Sequence, residues 1–172
     1  MNRIFRLPQL SFYVDYFGNS KSNEFCLAVA GGRRPALGWL KNFISLNKDL
    51  ETYCADKGLL YCFENKIIPK CVVGDADSAG LEAFEKAHSL GVAVKTYLTE
   101  KDDTDLQILL KEIIDKDFVI TGIFGGRLDH LYSNIFSIMS DSQVHGRGEF
   151  DIRYWINYLI IFIPCFILKY QT

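Results

Sequence analysis

Residues able to do chemistry gather in a few short stretches, each placed where an apolar run gives way to helical spacing. The first is Gly74-Asp75-Ala76-Asp77-Ser78, which follows the run Cys71-Val72-Val73. Two carboxylates in one cleft repel by about 4 kcal/mol at about 4 Å and an effective dielectric near 20. A hard cation such as Mg²⁺ relieves that repulsion and commonly bridges carboxylates to phosphates. Lys101-Asp102-Asp103-Thr104-Asp105 adds three acids ahead of Leu106, Leu109, Leu110, Ile113 and Ile114. Acids at a helix N-terminus are also what the helix dipole favours without any ligand. Gly125-Gly126-Arg127-Leu128-Asp129-His130 combines two glycines, which permit close backbone approach, with an arginine able to grip phosphate bidentately. Asp129 and His130 also fit a structural role, and a lone histidine is more often a packing residue than a base. Gly31-Gly32-Arg33-Arg34-Pro35 is a turn that can offer N–H groups and arginine forks to an anion. Asp56, in Cys54-Ala55-Asp56-Lys57-Gly58, is another carboxylate at a strand end.

The elements that must position these residues follow from periodicity. Short apolar runs predict strands at 24–30, 52–55, 71–73, 92–97 and 118–123. Helices are expected from Pro35 (apolar positions Leu40, Phe43, Ile44), over 59–64, and over 78–90 with Ser78 as N-cap and Gly91 as stop. Further helices follow Asp105 and Arg127, the last with Leu131, Tyr132, Ile135, Phe136, Ile138 and Met139 on its apolar side. Alternating strands and helices predict an α/β fold, a parallel sheet with helices on both faces in the Rossmann-like manner. In such sheets ligands bind beyond the carboxyl ends of the strands, where every one of these motifs falls. Residues 1–23 carry no motif, although 10–17 reads as a strand.

Composition narrows the function classes. The 172 residues are 49% hydrophobic, enough for a packed core. A net charge of −2 gives no footprint for nucleic acid. The five cysteines form no C-x-x-C pair, and most lie in apolar runs, which favours buried thiols in a reducing cytosol. Arg6, Pro8, Gln9, Asp15 and Gly18 interrupt any signal-peptide core near the N-terminus.

Taken together, the A-D-K-G, G-D-x-D-S, K-D-D-T-D and G-x-R-x-D-H elements, with Asn134 one turn further on, resemble thiamine pyrophosphokinase in order and spacing over residues 25–139. The resemblance implies transfer of pyrophosphate from ATP to the hydroxyl of thiamine, with Mg²⁺ and release of AMP. It implies catalytic roles for Asp75, Asp77, Asp102 and Asp105, with Asp75, Asp77 and Asp105 as metal ligands. It places Asp56, Gly125, Gly126, Arg127, Asp129, His130 and Asn134 around the nucleotide, and the Gly31-Gly32-Arg33 turn is expected, from its residue types, to meet the phosphates there. It also implies a homodimer. Lys57 stands where the family often has glycine.

The family pattern stops near Ser140. Residues 1–140 are expected to form the ATP- and Mg²⁺-binding catalytic domain. Residues 141–172 are expected to be a linker and a short apolar segment, the remnant of the family's C-terminal β-sandwich. Residues 154–168 are uncharged and too short to span a bilayer, so a membrane segment is disfavoured. Two alternatives stay open: a Mg·ATP-binding remnant without turnover, and another Mg²⁺-dependent nucleotidyl or phosphoryl transferase.

Overall fold

In a computed structural model the chain is described over residues 3–6, 11–14, 25–35, 38–97, 103–114, 116–125, 128–144, 151–155 and 158–163. Strands β1 (Arg3–Arg6) and β2 (Ser11–Val14) pair as an antiparallel hairpin outside the main sheet. The chain then alternates: β3 (Phe25–Val29), α1 (Trp39–Leu46), β4 (Glu51–Ala55), α2 (Gly58–Glu64), β5 (Cys71–Gly74), α3 (Leu81–Ser89), β6 (Ala93–Thr96), α4 (Asp105–Glu112), β7 (Asp117–Thr121) and α5 (Leu128–Val144). Strands β8 (Asp151–Trp155) and β9 (Tyr158–Ile163) close the series. The main sheet runs β6-β5-β4-β3-β7-β9-β8, with the first five strands parallel and the last two antiparallel.

The central strands are apolar throughout because both faces are covered. Leu27 and Val29 point to one side, with Cys54, Val72 and Val119, and pack against Trp39, Leu40 and Phe43 of α1, Leu59 and Cys62 of α2, and Phe84 and Ala87 of α3. Cys26, Ala28, Ala30, Val73, Phe118 and Ile120 face the other side, against Leu106, Leu109, Leu110 and Ile113 around α4 and Ile138 of α5. The period of two along a strand thus sorts one run into two cores. Cys26, Cys54, Cys62 and Cys71 are all buried in them. Burial drives the Cys54 thiol well above its ordinary pKa, with the neighbouring Cys62 thiol adding to the shift, so it stays protonated and inert.

Several boundaries differ from expectation. Helix α3 begins at Leu81, not Ser78, and its N-cap is Gly80 at φ 84°. Ser78 lies in the preceding loop and caps nothing, while Leu81 is exposed, not core. Gly91, at φ 79°, does stop the helix, and the Val92 N–H returns to the Ala87 carbonyl at 3.0 Å. Helix α1 starts at Trp39, after Gly38 in the left-handed region. On α5, Tyr132 and Phe136 are 56% and 63% exposed, so the expected apolar side is only partly buried. Beyond α5, β8 and β9 pair antiparallel with each other, and β9 pairs with β7 and extends the sheet. Among the described residues no helix is long and apolar enough to cross a membrane.

Candidate active site

Strand β3 passes its chain to β4 on one side, while β7 returns to its other side. The carboxyl ends of β3 and β7 therefore flank the point where strand order reverses, the place where open α/β sheets bind ligands. A cleft of about 770 Å³ lies there, within the range of small-molecule sites.

The two loops that flank it are joined backbone to backbone. The Ala30 N–H donates to Thr121 O at 2.8 Å, the Gly32 N–H to Gly122 O at 2.6 Å, and the Arg33 N–H to Phe124 O. Such contact requires glycine. A Cβ on Gly32 would fall inside 3.0 Å of the Gly122 and Phe124 carbonyl oxygens, and one on Gly122, at φ 77°, would strike Ala30 O. Gly31 and Gly32 line the cleft, but the Gly32 and Arg33 N–H groups serve the neighbouring loop. The anion cradle expected from this turn loses those two donors. Arg34 pairs with Glu64 at 2.6 Å rather than facing an anion.

Strand β4 is followed by Asp56, which lines the cleft, is nearly buried and sits at φ 42°. Its N–H donates to Val73 O at 2.8 Å, and its Oδ1 accepts from the Ala79 N–H at 3.3 Å. That second bond ties the strand end to the 75–80 loop, where Ala76 is also left-handed, at φ 66°. Left-handed backbone at two non-glycine residues, Asp56 in the cleft and Ala76 in the loop bonded to it, stores strain that the surrounding hydrogen bonds must hold. Asp75 is half-buried, Asp77 exposed, and the Asp77 N–H donates to Asp75 Oδ1 at 3.1 Å. Neither lines the cleft; they sit one strand away from it, beyond β5.

Helices α4 and α5 supply the remaining lining. Thr104 caps α4 in a reciprocal box: its hydroxyl accepts from the Gln107 N–H at 3.2 Å, and the Gln107 side chain accepts from the Thr104 N–H at 2.7 Å. This holds Asp103, Thr104 and Asp105 on the cleft, with Asp103 paired to Lys111. From α5 come Asp129, His130, Ser133 and Asn134, two adjacent pairs one turn apart on one helix face. The Asn134 side chain donates to Ile123 O at 3.1 Å, which fastens α5 to the β7 loop.

The structure thus brings Gly31, Gly32, Asp56, Asp105, Gly125, Asp129, His130 and Asn134 to one cleft. Arg33 is exposed beside it. Asp102, Gly126 and Arg127 lie outside the described residues. Sequence reasoning did not single out Ser133, Thr104 or Asp103 as site residues. Ser133 was signalled by its place one helical turn after Asp129 and His130, and Thr104 by the T-x-x-Q capping spacing. Among the described residues no three carboxylate, imidazole or thiol groups converge to form a protein-only metal cage. The cleft's carboxylates do suit a Mg²⁺ held by one or two acids, with substrate oxygens completing its shell.

Residues 45–145 match the family model for the thiamin pyrophosphokinase catalytic domain, over more than half of the chain. The chain belongs to this family. It is 37% identical over 116 residues to thiamine pyrophosphokinase of Bacillus subtilis, a match covering 57% of this chain and 54% of that protein. Among solved thiamin pyrophosphokinase structures, that from Bacillus subtilis superposes with a TM-score of 0.56 at 26% identity, covering 71% of this chain and 57% of that one. A thiamin pyrophosphokinase family protein from Enterococcus faecalis gives 0.54 at 28% identity, covering 68% and 55%. The chain spans little more than half the length of these thiamin pyrophosphokinase relatives.

Proposed function

We propose that the cleft between β3 and β7 binds Mg·ATP and that the chain transfers the pyrophosphoryl group to the hydroxyl of thiamine. One observation carries this reading: the family-matched motifs from three separate strand ends, those of β4, β6 and β7, deliver Asp56, Asp105, Asp129 and His130 to a single cleft at the strand-order reversal. The thiamine hydroxyl oxygen forms a bond to the β-phosphorus, the bond from that phosphorus to the α,β-bridging oxygen breaks, and AMP leaves. The hydroxyl proton passes to a carboxylate of the acidic set, Asp105 or Asp102. Mg²⁺, when bound, neutralises phosphate charge and aligns the displaced group. Asp75, Asp77 and Asp105 are the proposed ligands, and Arg33 and Arg127 the proposed phosphate contacts. The test is direct: purified protein, ATP, Mg²⁺ and thiamine should yield AMP and thiamine diphosphate in equal amounts. No product, with ATP still bound, would leave the nucleotide half of the proposal and overturn the transferase half.

That second outcome has its own support. The described chain after α5 adds strands to the α/β sheet instead of building a separate sheet, so binding without turnover is the alternative reading. A homodimer is also proposed. Leu128, Tyr132 and Phe136 lie at successive i, i+4 positions on α5, each more than half exposed, and a second copy would cover them. Sedimentation equilibrium should give twice the 19.7 kDa chain mass, and a monomer would refute the dimer. The buried thiols support a reducing cytosol as the compartment.

A further inference from the structure

Tyr61 belongs to none of the motifs, yet it reaches the cleft wall from behind. It is 3% exposed, on α2, and its hydroxyl donates to the Gly32 carbonyl oxygen at 2.7 Å. Burial raises its pKa, more than the nearby Arg34 charge lowers it, so the hydroxyl keeps the proton it donates. Arg34 lies over the Tyr61 ring, its guanidinium carbon 5.7 Å from the ring centre, and pairs with Glu64 one turn along the same helix. The ring is therefore pinned between its helix and the loop it holds.

The wall in question has no side chains. Gly31 and Gly32 can hold a shape only through backbone hydrogen bonds, because glycine has the widest conformational freedom of any residue. Gly32 is held on one side by its N–H to Gly122 O, and the next N–H goes to Phe124 O. Tyr61 supplies the opposing hold, on the carbonyl. Without it, the peptide joining Gly32 to Arg33 is fastened only toward β7.

We propose that Tyr61 is a positioning residue for the nucleotide cleft: its hydroxyl holds the Gly32 carbonyl, and so fixes the Gly31–Gly32 wall and the backbone of Arg33 where the phosphates of ATP are bound. This rests on the nucleotide reading above. The variant is Tyr61→Phe in the full chain, which removes one oxygen and keeps the ring. Mg·ATP affinity by calorimetry should fall about 3- to 10-fold, the loss of one neutral hydrogen bond. Amide exchange at Gly32 and Arg33 should accelerate. Arg34→Gln, which uncovers the ring but leaves the hydroxyl, should give a smaller change at the same two amides. Phe84→Leu, in the core under α3, serves as a control for general softening and should leave both readouts unchanged. Unaltered exchange at Gly32 and Arg33 in Tyr61→Phe would overturn the proposal, as would faster exchange with unaltered affinity, or an equal loss of affinity in Phe84→Leu. If the unaltered protein binds no Mg·ATP, the nucleotide reading itself fails, and with it the purpose assigned to Tyr61; exchange at the two amides then still reports whether the hydroxyl holds the wall.

Discussion

Gly32→Ala should lower stability by about 2–4 kcal/mol and reduce Mg·ATP binding below detection. The added methyl would meet the carbonyl oxygens of Gly122 and Phe124, both backbone atoms with no rotamer to escape into. Overpacking of this kind costs about 1–3 kcal/mol, and losing the bond from Gly32 N–H to Gly122 O adds about 1 kcal/mol. The only relief is to part the β3 and β7 loops, which are the two walls of the cleft. Urea denaturation measures the first effect and calorimetry the second. Gly80→Ala is the matched control: Gly80 sits at φ 84° and ψ 146°, a glycine-favouring conformation, with nothing within 4 Å of its Cβ position, so it should cost about 1–3 kcal/mol of backbone strain and leave binding intact. A Gly32→Ala protein as stable as the original, with ATP still bound, would mean that the two loops are not held together as described.

The double substitution Asp75→Asn and Asp77→Asn should cut turnover at saturating ATP by about 100-fold or more, the usual scale for losing charge stabilisation at a transferring group. Asparagine keeps the size of aspartate and an oxygen that can still accept from the residue 77 N–H, so the loop geometry should survive. Asp77 is exposed and Asp75 half-buried, so stability should change by no more than about 0.5 kcal/mol. The separation of the two effects is the point of the measurement: the pair lies one strand away from the cleft lining, and a role as Mg²⁺ ligands requires that bound nucleotide and metal span the gap. Turnover and Mg²⁺ dependence equal to those of the unaltered protein would remove both residues from the metal site.

How far these features were legible in the sequence depended on whether they were local. Strands β3, β5 and β7 were readable because burial on both faces makes each a short, largely apolar run. The start of α3 was not. Ser78 is a good cap by local rules, but the Asp56 carboxylate takes the Ala79 N–H and the Gly80 N–H returns to Ala76 O, so the loop is wound by a tertiary contact before the helix can begin. Gly125 was read as permitting close approach, and Gly31-Gly32 as a turn offering N–H groups to an anion. What approaches at Gly32 is the β7 loop, a partner far away in sequence that no local pattern names. On α5 the apolar residues occupy more than one face, and periodicity does not say which face is covered; Ile138 is buried and Phe136 is not. The apolar segment after α5 was expected as the remnant of a separate β-sandwich; the pairing of β9 with β7 was not readable, since an edge accepts any strand whose register suits it.

The place of β3 between β4 and β7 also sets an order of assembly. As the chain leaves the ribosome, β3, β4, β5 and β6 can zip together through neighbouring βα units, each closing a short loop. Strand β7 must then insert against the far side of β3, aligning Asp117 with Phe25. Until that late docking, the nascent polypeptide offers an unpaired β3 edge, and the cleft has only one wall. The second wall of the cleft and the last parallel strand therefore arrive together, and the proposed nucleotide would act on this protein as a ligand of a late folding event.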